Sequence, residues 1–275
     1  MRPDDIELLT ASFQRYFILG LFACSAASVV AVARAPLQFL TGSASNTTWS
    51  AVPWLILGLG LAVFAFWRIR FRIFWEAVFT LALFLGVWYL GLVVLSVSFG
   101  LLAASIVVLL PFVFHRVWAH DVFFFFGAVG VALNLSAQFP AELLIVVLAV
   151  TALYDIVAAP PGGVVAELAG HLVTKGFVPG FIIPPSLAFL SSPLKEVRKS
   201  DASLLGAGDL ILPLILVAQS AANSLQAALL VSLGMLCGSF YLTRRPAQAP
   251  QPALPPLALG AGIPFIVFYV FSRLW

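Results

Sequence analysis

The chain has 275 residues, of which 62% are hydrophobic and only 9% are charged, and its mean hydropathy is +1.09. Soluble globular domains carry about 25% charged residues, so this composition excludes a soluble protein and indicates an integral membrane protein. The formal net charge of +3 is small and gives no indication of a nucleic-acid partner.

The N-terminal segment MRPDDIELLTASFQR carries three acidic residues, Asp4, Asp5 and Glu7, before the first apolar run. No small-residue cleavage site follows a short apolar stretch, so we expect no removable signal peptide and a retained first span. Cys24 and Cys237 lie in apolar runs, away from other thiols and from histidines, which indicates neither a disulfide nor a metal site. We expect no metal and no cofactor.

Nine apolar segments have about the 20 residues that a helix needs to cross a bilayer. The run from 73 to 114 contains no basic residue and is too long for one crossing, so a tight turn is predicted around Gly91. The predicted spans, in chain order, are 15–34, 52–67, 73–91, 93–114, 121–139, 141–160, 203–221, 224–242 and 254–273. The predicted fold class is an all-α membrane protein with nine transmembrane helices.

The basic residues predict the orientation of these spans. With a cytoplasmic N-terminus, all Lys and Arg residues except Arg34 and Arg273 fall on the inside, as the positive-inside rule requires. Merging the run from 73 to 114 into one helix would reverse the side of every later cluster. We therefore predict nine spans with the N-terminus cytoplasmic and the C-terminus outside.

Two polar stretches lie between the predicted spans. Asn46 begins a glycosylation sequon in the first outside loop, and the sequence does not tell whether it is occupied. His115, His120 and Asp121 stand together in HRVWAHD, between the fourth and fifth spans. We interpret this stretch as a solvated cytoplasmic turn rather than a metal site.

Asp155 and Asp209 are the two acids that fall well inside predicted spans. Asp155 precedes the Pro160 stop of the sixth span by about five residues, roughly 7–8 Å of helix, and Asp209 follows the start of the seventh by about six residues, roughly 9 Å. Because the two spans run in opposite directions, both acids lie at a similar depth below the cytoplasmic surface. They can therefore face each other.

An acid inside the membrane costs at least ~2.5 kcal/mol on insertion scales, so two on neighbouring spans indicate a functional site. The alternative is that each acid is a packing or topology device, hydrogen-bonded to a neighbouring helix. Gly206 and Gly208 let another helix or a substrate backbone approach Asp209 closely. Pro213 should kink or loosen the seventh helix near this acid.

The connection from 160 to 202 is the one long polar-containing loop, and it is predicted to be cytoplasmic. Within it VVAELAGHLV predicts a short amphipathic helix, whereas GFVPGFIIPPSLAFL is apolar but interrupted by prolines and is predicted to be interfacial or re-entrant. The predicted organisation is one integral membrane domain, with a six-span bundle over 1–160, this loop over 161–202 and a three-span part over 203–275.

The segment APQPALPPLALG, residues 249–260, opens the ninth span. Its four prolines exclude a regular helix interior, so the amides of Ala253 and Leu254 should have no helical partners. Non-helical backbone at membrane depth is tolerated where it lines a cavity or is buried in protein. On this stretch alone, a proline-rich helix entry is the simpler interpretation.

Together these features resemble the presenilin and signal peptide peptidase family of intramembrane aspartyl proteases. The motif residues are Tyr154 and Asp155 for YD, Gly206, Ala207, Gly208 and Asp209 for GxGD, and Pro252, Ala253, Leu254 and Pro255 for PAL. Order, span number and membrane side all agree. The short loops are similar to those of the compact archaeal homologues. GDLILP and QPAL resemble signal peptide peptidase, whereas PALP and the orientation resemble presenilin, so the subfamily stays open.

The resemblance implies an endopeptidase that hydrolyses peptide bonds within or near transmembrane helices. Asp155 and Asp209 would share a proton and activate a water, and the other motif residues would position the pair and the substrate. The hydroxyl of Tyr154 points about 100° away from Asp155 on a helix, so we expect it to line the pocket or bond another helix. The implied partners are transmembrane substrates and the lipid bilayer.

The implied location is the cell membrane, with the active site on the cytoplasmic side. By charge, the presenilin-like orientation is favoured, which the resemblance links to substrates with an outside N-terminus. Accessory subunits are expected to be dispensable, and the oligomeric state stays open.

Two other functions compete with this interpretation. A proton- or cation-coupled transporter or channel would use the two acids as ion sites and the proline-rich ninth span as a broken helix. A prepilin-peptidase-like protease also carries GxGD, but we would not expect a ninth-span PAL motif there. Dependence of cleavage, rather than of ion flux, on the two acids discriminates these functions.

Overall fold

The computed structural model describes residues 72–95, 97–160, 170, 172–173, 177–197, 202–243 and 252–274. The first two predicted spans, the Asn46 sequon and most of the predicted VVAELAGHLV helix lie outside these residues.

The described chain is mainly helical. Its seven long helices are α1 Arg72–Val94, α2 Val97–Phe114, α3 Val117–Gln138, α4 Ala141–Ala158, α5 Ala207–Asn223, α6 Leu225–Thr243 and α7 Leu254–Leu274. Six of them are long and apolar enough to cross a membrane, and α5 is a shorter apolar helix. They correspond to the third to ninth predicted spans, which supports a multi-span membrane protein.

The turn between α1 and α2 does not lie at Gly91. The amide of Leu95 donates to the carbonyl of Gly91 at 2.9 Å, so Gly91 is inside α1. A Cβ atom on Gly91 would stand 2.5 Å from Cα of Gly100 in α2. The glycine therefore serves close helix packing, and the chain turns only after Val94.

The interpretation of HRVWAHD as a solvated turn is wrong for two of its three residues. His115 is exposed and has a positive φ of 51° at the turn before α3. However, α3 begins at Val117, four residues before the predicted span, and His120 and Asp121 are 9% and 6% exposed. Hydrogen bonds to the protein replace water around both side chains.

The all-α prediction misses a small sheet. Strand β1, Gly180–Ile183, pairs antiparallel with strand β2, Ser203–Gly206. A short 3-10 helix, Leu187–Ser191, and one helical turn, Leu194–Val197, lie between the strands. The segment that looked interfacial or re-entrant thus supplies β1, because two backbone edges can pair where prolines prevent a continuous helix.

The predicted start of the seventh span is also wrong. Residues 203–206 form β2, and α5 begins only at Ala207. Asp209 is therefore the third residue of its helix rather than one about six residues inside it. An apolar run of four residues has no periodicity that separates strand from helix.

Helix α3 is central to the packing, with α1, α2 and α5 against it, and α7 packs against α4, α5 and α6. Helices α6 and α7 pack closely at Gly234 and Gly260. A Cβ atom on Gly234 would lie 1.9 Å from the carbonyl oxygen of Gly260, and one on Gly260 would lie 2.2 Å from that of Gly234. This contact fixes the helix that begins with the PAL-like segment.

Candidate active site

Asp155 lies in the last turn of α4 and is half-buried. Its Oδ2 accepts a hydrogen bond of 3.0 Å from the backbone amide of Leu254, at the start of α7. The amide of Ala253 faces the same carboxyl group. The positive end of α7 therefore meets this acid, which compensates for its unfavourable place near the negative C-terminal end of its own helix.

The start of α7 is unusual in its supply of donors. The first four amides of a helix have no intrahelical partner, and here these belong to residues 253–256. Pro255 and Pro256 have no amide hydrogen, so Ala253 and Leu254 are the donors that remain, and both are directed at Asp155. The prediction that these two amides lack helical partners is confirmed.

Asp209 occupies the first turn of α5. Its Oδ2 accepts a hydrogen bond of 3.2 Å from the amide of Gly206, the residue that caps the helix. This is the acidic half of a capping box, and a negative side chain here also complements the helix dipole. Local backbone geometry thus fixes the direction of this carboxylate.

The structure brings the two predicted acids together. Helix α4 contacts α5, and the carboxyl groups of Asp155 and Asp209 are close enough for their charges to interact. The C-terminal end of α4 and the N-terminal ends of α5 and α7 thus meet at one place. In the part of the chain that the structure describes, no three His, Cys, Asp or Glu side chains cluster as metal ligands would.

The residues around Asp209 differ in the space beside them. A Cβ atom on Gly206 would lie 3.0 Å from Oδ2 of Asp209, whereas one on Gly208 would meet no described atom within 4 Å. Pro213 lies inside α5 and cannot donate to the carbonyl of Asp209, four residues earlier. Gly206 therefore leaves room for the carboxylate, and Gly208 borders open space.

The remaining motif residues have more peripheral positions. Tyr154 is 56% exposed, and no described residue bonds its hydroxyl, so the expected bond to another helix is not seen in this part of the chain. Pro252 and Ala253 are half-buried, and Leu254 is 3% exposed. The PAL-like segment thus contacts Asp155 through its backbone while the Leu254 side chain enters the core.

The β hairpin leads directly into this site, because β2 ends at Gly206. Paired residues are Phe181 with Leu205 and Ile182 with Leu204. The amide of Ile182 donates to Asp121 and so points away from β2. In an antiparallel pair, alternate residues turn both backbone groups outward, so Leu204 and Gly206 direct theirs away from β1. Among the described residues no strand pairs with this side, which we call the free side of β2, and there the Gly206 amide bonds Asp209.

Sequence reasoning missed three residues that shape this hairpin. Asp121 bonds β1, His120 bonds Val178 just before it, and a Cβ atom on Gly180 would lie 2.2 Å from the carbonyl oxygen of Leu205. The two polar residues stand directly before a strongly apolar run, which was the one available signal. Their partners lie about 60 residues further along the chain, and no local pattern links them.

Comparisons with known proteins identify the family and support the fold. A family model described as "Signal-peptide peptidase, presenilin aspartyl protease" matches residues 38–274. A solved presenilin family intramembrane aspartate protease in the C222 space group is 22% identical, with 90% of this chain and 96% of that chain covered and a TM-score of 0.55. The corresponding P2 structure is 23% identical, with 92% and 96% covered and a TM-score of 0.57. No curated protein matches the chain.

Proposed function

We propose that this chain, which belongs to the signal-peptide peptidase and presenilin aspartyl protease family, hydrolyses peptide bonds within or near transmembrane helices, with Asp155 and Asp209 as its catalytic pair. The observation that carries the proposal is the convergence of the two acids at three helix ends. Each carboxylate is oriented by a backbone amide, from Leu254 and Gly206 respectively. Catalytic groups held in this way need little reorganisation during the reaction.

The chemistry follows from two neighbouring carboxyl groups that share one proton. The ionised group removes a proton from water as the water oxygen bonds to the scissile carbonyl carbon, and the protonated group donates to the carbonyl oxygen. The tetrahedral intermediate then loses its carbon–nitrogen bond as the departing amine receives a proton from the protonated carboxyl group, and a hydroxyl proton of the intermediate returns to the other carboxylate, which restores the singly protonated pair. A carboxylate has lone pairs beyond the one that its amide donor uses, so these bonds leave it free to act.

A transmembrane substrate must be locally unwound, since its carbonyls are otherwise bonded within its own helix. The unwound segment of the substrate can pair with the free side of β2 as an additional strand, which would bond its exposed backbone groups. Leu204 and Gly206 are exposed, and Gly206 is three residues from Asp209. A substrate strand on this side would lie beside the catalytic pair.

We place the active site on the cytoplasmic side of the cell membrane, because the distribution of Lys and Arg supports that orientation. Substrates with an outside N-terminus fit this orientation best.

The PAL-like segment acts chiefly on Asp155, because the Leu254 amide is already bonded to that acid. The chain acts without accessory subunits.

The test is cleavage of a transmembrane reporter by purified protein reconstituted in liposomes. Asp155→Asn and Asp209→Asn preserve the shape of the side chain and an acceptor oxygen but cannot exchange the proton. The cleavage activity of both variants should therefore fall to background, as should that of the alanine variants. Glu196→Gln changes an exposed acid on the helical turn Leu194–Val197 and should retain full activity. Cleavage by either Asp variant, with contaminating protease excluded, would contradict the proposal.

A further inference from the structure

His120 and Asp121 form a buried polar pair that the catalytic scheme does not use. Asp121 Oδ1 accepts a hydrogen bond of 3.0 Å from the amide of Ile182. His120 Nε2 lies 3.1 Å from the carbonyl oxygen of Val178. From α3, the two side chains thus bond the backbone just before β1 and within it.

The pair is also internally coupled. Because a carbonyl oxygen accepts, His120 Nε2 must carry a hydrogen toward Val178. His120 Nδ1 lies 3.4 Å from Asp121 Oδ1, a long contact that is attractive when a second proton lies on the ring or on the carboxyl group. Asp121 Oδ2 is buried and has no partner among the described residues. Such a buried acid is costly, which argues for a purpose beyond filling space.

The position of the pair determines which side of the hairpin is open. Ile182 lies within β1 and its amide bonds Asp121 rather than β2, whereas Val178 lies two residues before the strand. The bond to Asp121 therefore occupies the outer side of β1 at Ile182, and the bond to His120 holds the chain just before the strand. Among the described residues, the free side of β2, to which Leu204 directs its backbone groups, is the one left for another strand.

The pair also connects α3 to the catalytic acid. Ile182 pairs with Leu204, β2 ends at Gly206, and the Gly206 amide donates to Asp209. Further along, the amide of Val117 donates to Ser192 at 3.1 Å, so α3 holds the segment after β1 as well. Movement of β1 would move β2 and with it the approach to Asp209.

We propose that His120 and Asp121 are positioning residues that hold β1 against α3, so that a substrate strand pairs with β2 in one register beside Asp209. This proposal rests on the proposed function. Its consequence is that the pair determines where the substrate is cut. A purely structural role would change the amount of folded protein but not the cleavage position.

The experiment maps the cleavage position of the transmembrane reporter by mass spectrometry and measures kcat/KM in liposomes. Asp121→Asn keeps an acceptor oxygen for Ile182 and should cut at the wild-type bond with similar kcat/KM. Asp121→Leu removes it and, because the loss of one partner of a buried polar pair destabilises a protein, its kcat/KM is calculated per folded molecule. Misplaced substrate should lower its kcat/KM by about 10- to 100-fold and add cuts at neighbouring bonds.

His120→Gln, which keeps a donor for Val178, and His120→Leu form the second matched pair, with the same expectation. Wild-type cleavage by the folded leucine variants, or an asparagine variant as impaired as the leucine one, would overturn the proposal. Hydrogen exchange at the Ile182 amide tests the proposal even if a leucine variant does not fold. Rapid exchange in the wild type would show that the hydrogen bond from Ile182 to Asp121 does not hold β1. A wild type that cuts no reporter would instead refute the proposed function, and the exchange measurement would still test this hydrogen bond.

Discussion

The backbone amide of Leu254 donates a 3.0 Å hydrogen bond to the side chain of Asp155, across 99 residues of sequence. This bond connects the helix that begins with the PAL-like segment to the helix that carries the first acid. Leu254 thus makes a polar contact through its backbone, although its side chain is apolar. The contact therefore explains why a proline-rich helix start lies beside an acid in the membrane.

Leu254→Pro should remove this bond while preserving the helix start, because proline is favourable in the first helical position. Hydrogen bonds to charged groups contribute about 1.5–3 kcal/mol, so kcat/KM should fall roughly ten- to hundred-fold. Leu254→Ala shortens the buried side chain but keeps the amide, and it is the matched control. Equal activity of the two variants in the liposome assay would show that the amide is not needed.

Leu204→Pro tests the free side of β2. The amide of Leu204 faces away from β1, so proline at this edge position leaves the bonds between the strands intact. Loss of one hydrogen bond to a substrate strand, about 0.5–1.5 kcal/mol, should lower kcat/KM roughly 2- to 12-fold. Leu204→Ala, which keeps the amide, should cleave as the wild type does, and the proposed strand addition is wrong if the proline variant does so too.

Gly208→Ala tests the open space beside Asp209. No described atom lies within 4 Å of the added Cβ, and alanine favours a helix over glycine by about 0.5–1 kcal/mol. The thermal unfolding temperature should therefore be unchanged or raised. If substrate fills this space, cleavage should nevertheless fall, with KM rising. An unaltered KM and kcat would mean that the substrate passes elsewhere.

Gly260→Ala tests the packing of α6 on α7. The new methyl group would lie 2.2 Å from the carbonyl oxygen of Gly234, and overpacking costs about 1–3 kcal/mol. Gly262→Ala in the same helix is the matched control, since its nearest neighbour is Leu148 at 4.0 Å. In detergent, we expect a lower unfolding temperature for the first variant alone. Equal temperatures would argue against close contact of the two helices.

Much of the fold and the convergence of the two acids could be predicted from the sequence. Hydropathy and charge predict the seven described long helices to within a few residues, and the resemblance to the family is confirmed by the match over residues 38–274. The catalytic roles of Asp155 and Asp209 stay predictions. That the two acids lie close together follows from the opposite directions of their spans, and hydrophobic patterns predict such spans well.

The rest depended on contacts that local patterns do not contain. Residues 203–206 continue an apolar run, so the strand that they form and the late start of α5 were not visible. Asp121 looked solvated because its partner, the amide of Ile182, is 61 residues away. Such errors concentrate in the hairpin, where short strands depend on tertiary partners rather than on their own sequence.

The prolines at the start of α7 have an effect on a different helix. A helix with four free amides offers an anion several overlapping arrangements of similar energy. Pro255 and Pro256 remove half of these donors, so the carboxylate of Asp155 has fewer alternatives to the bond with Leu254. The two prolines thereby limit the number of conformations open to the Asp155 side chain on α4. This effect is separate from the constraint that they place on the backbone of α7.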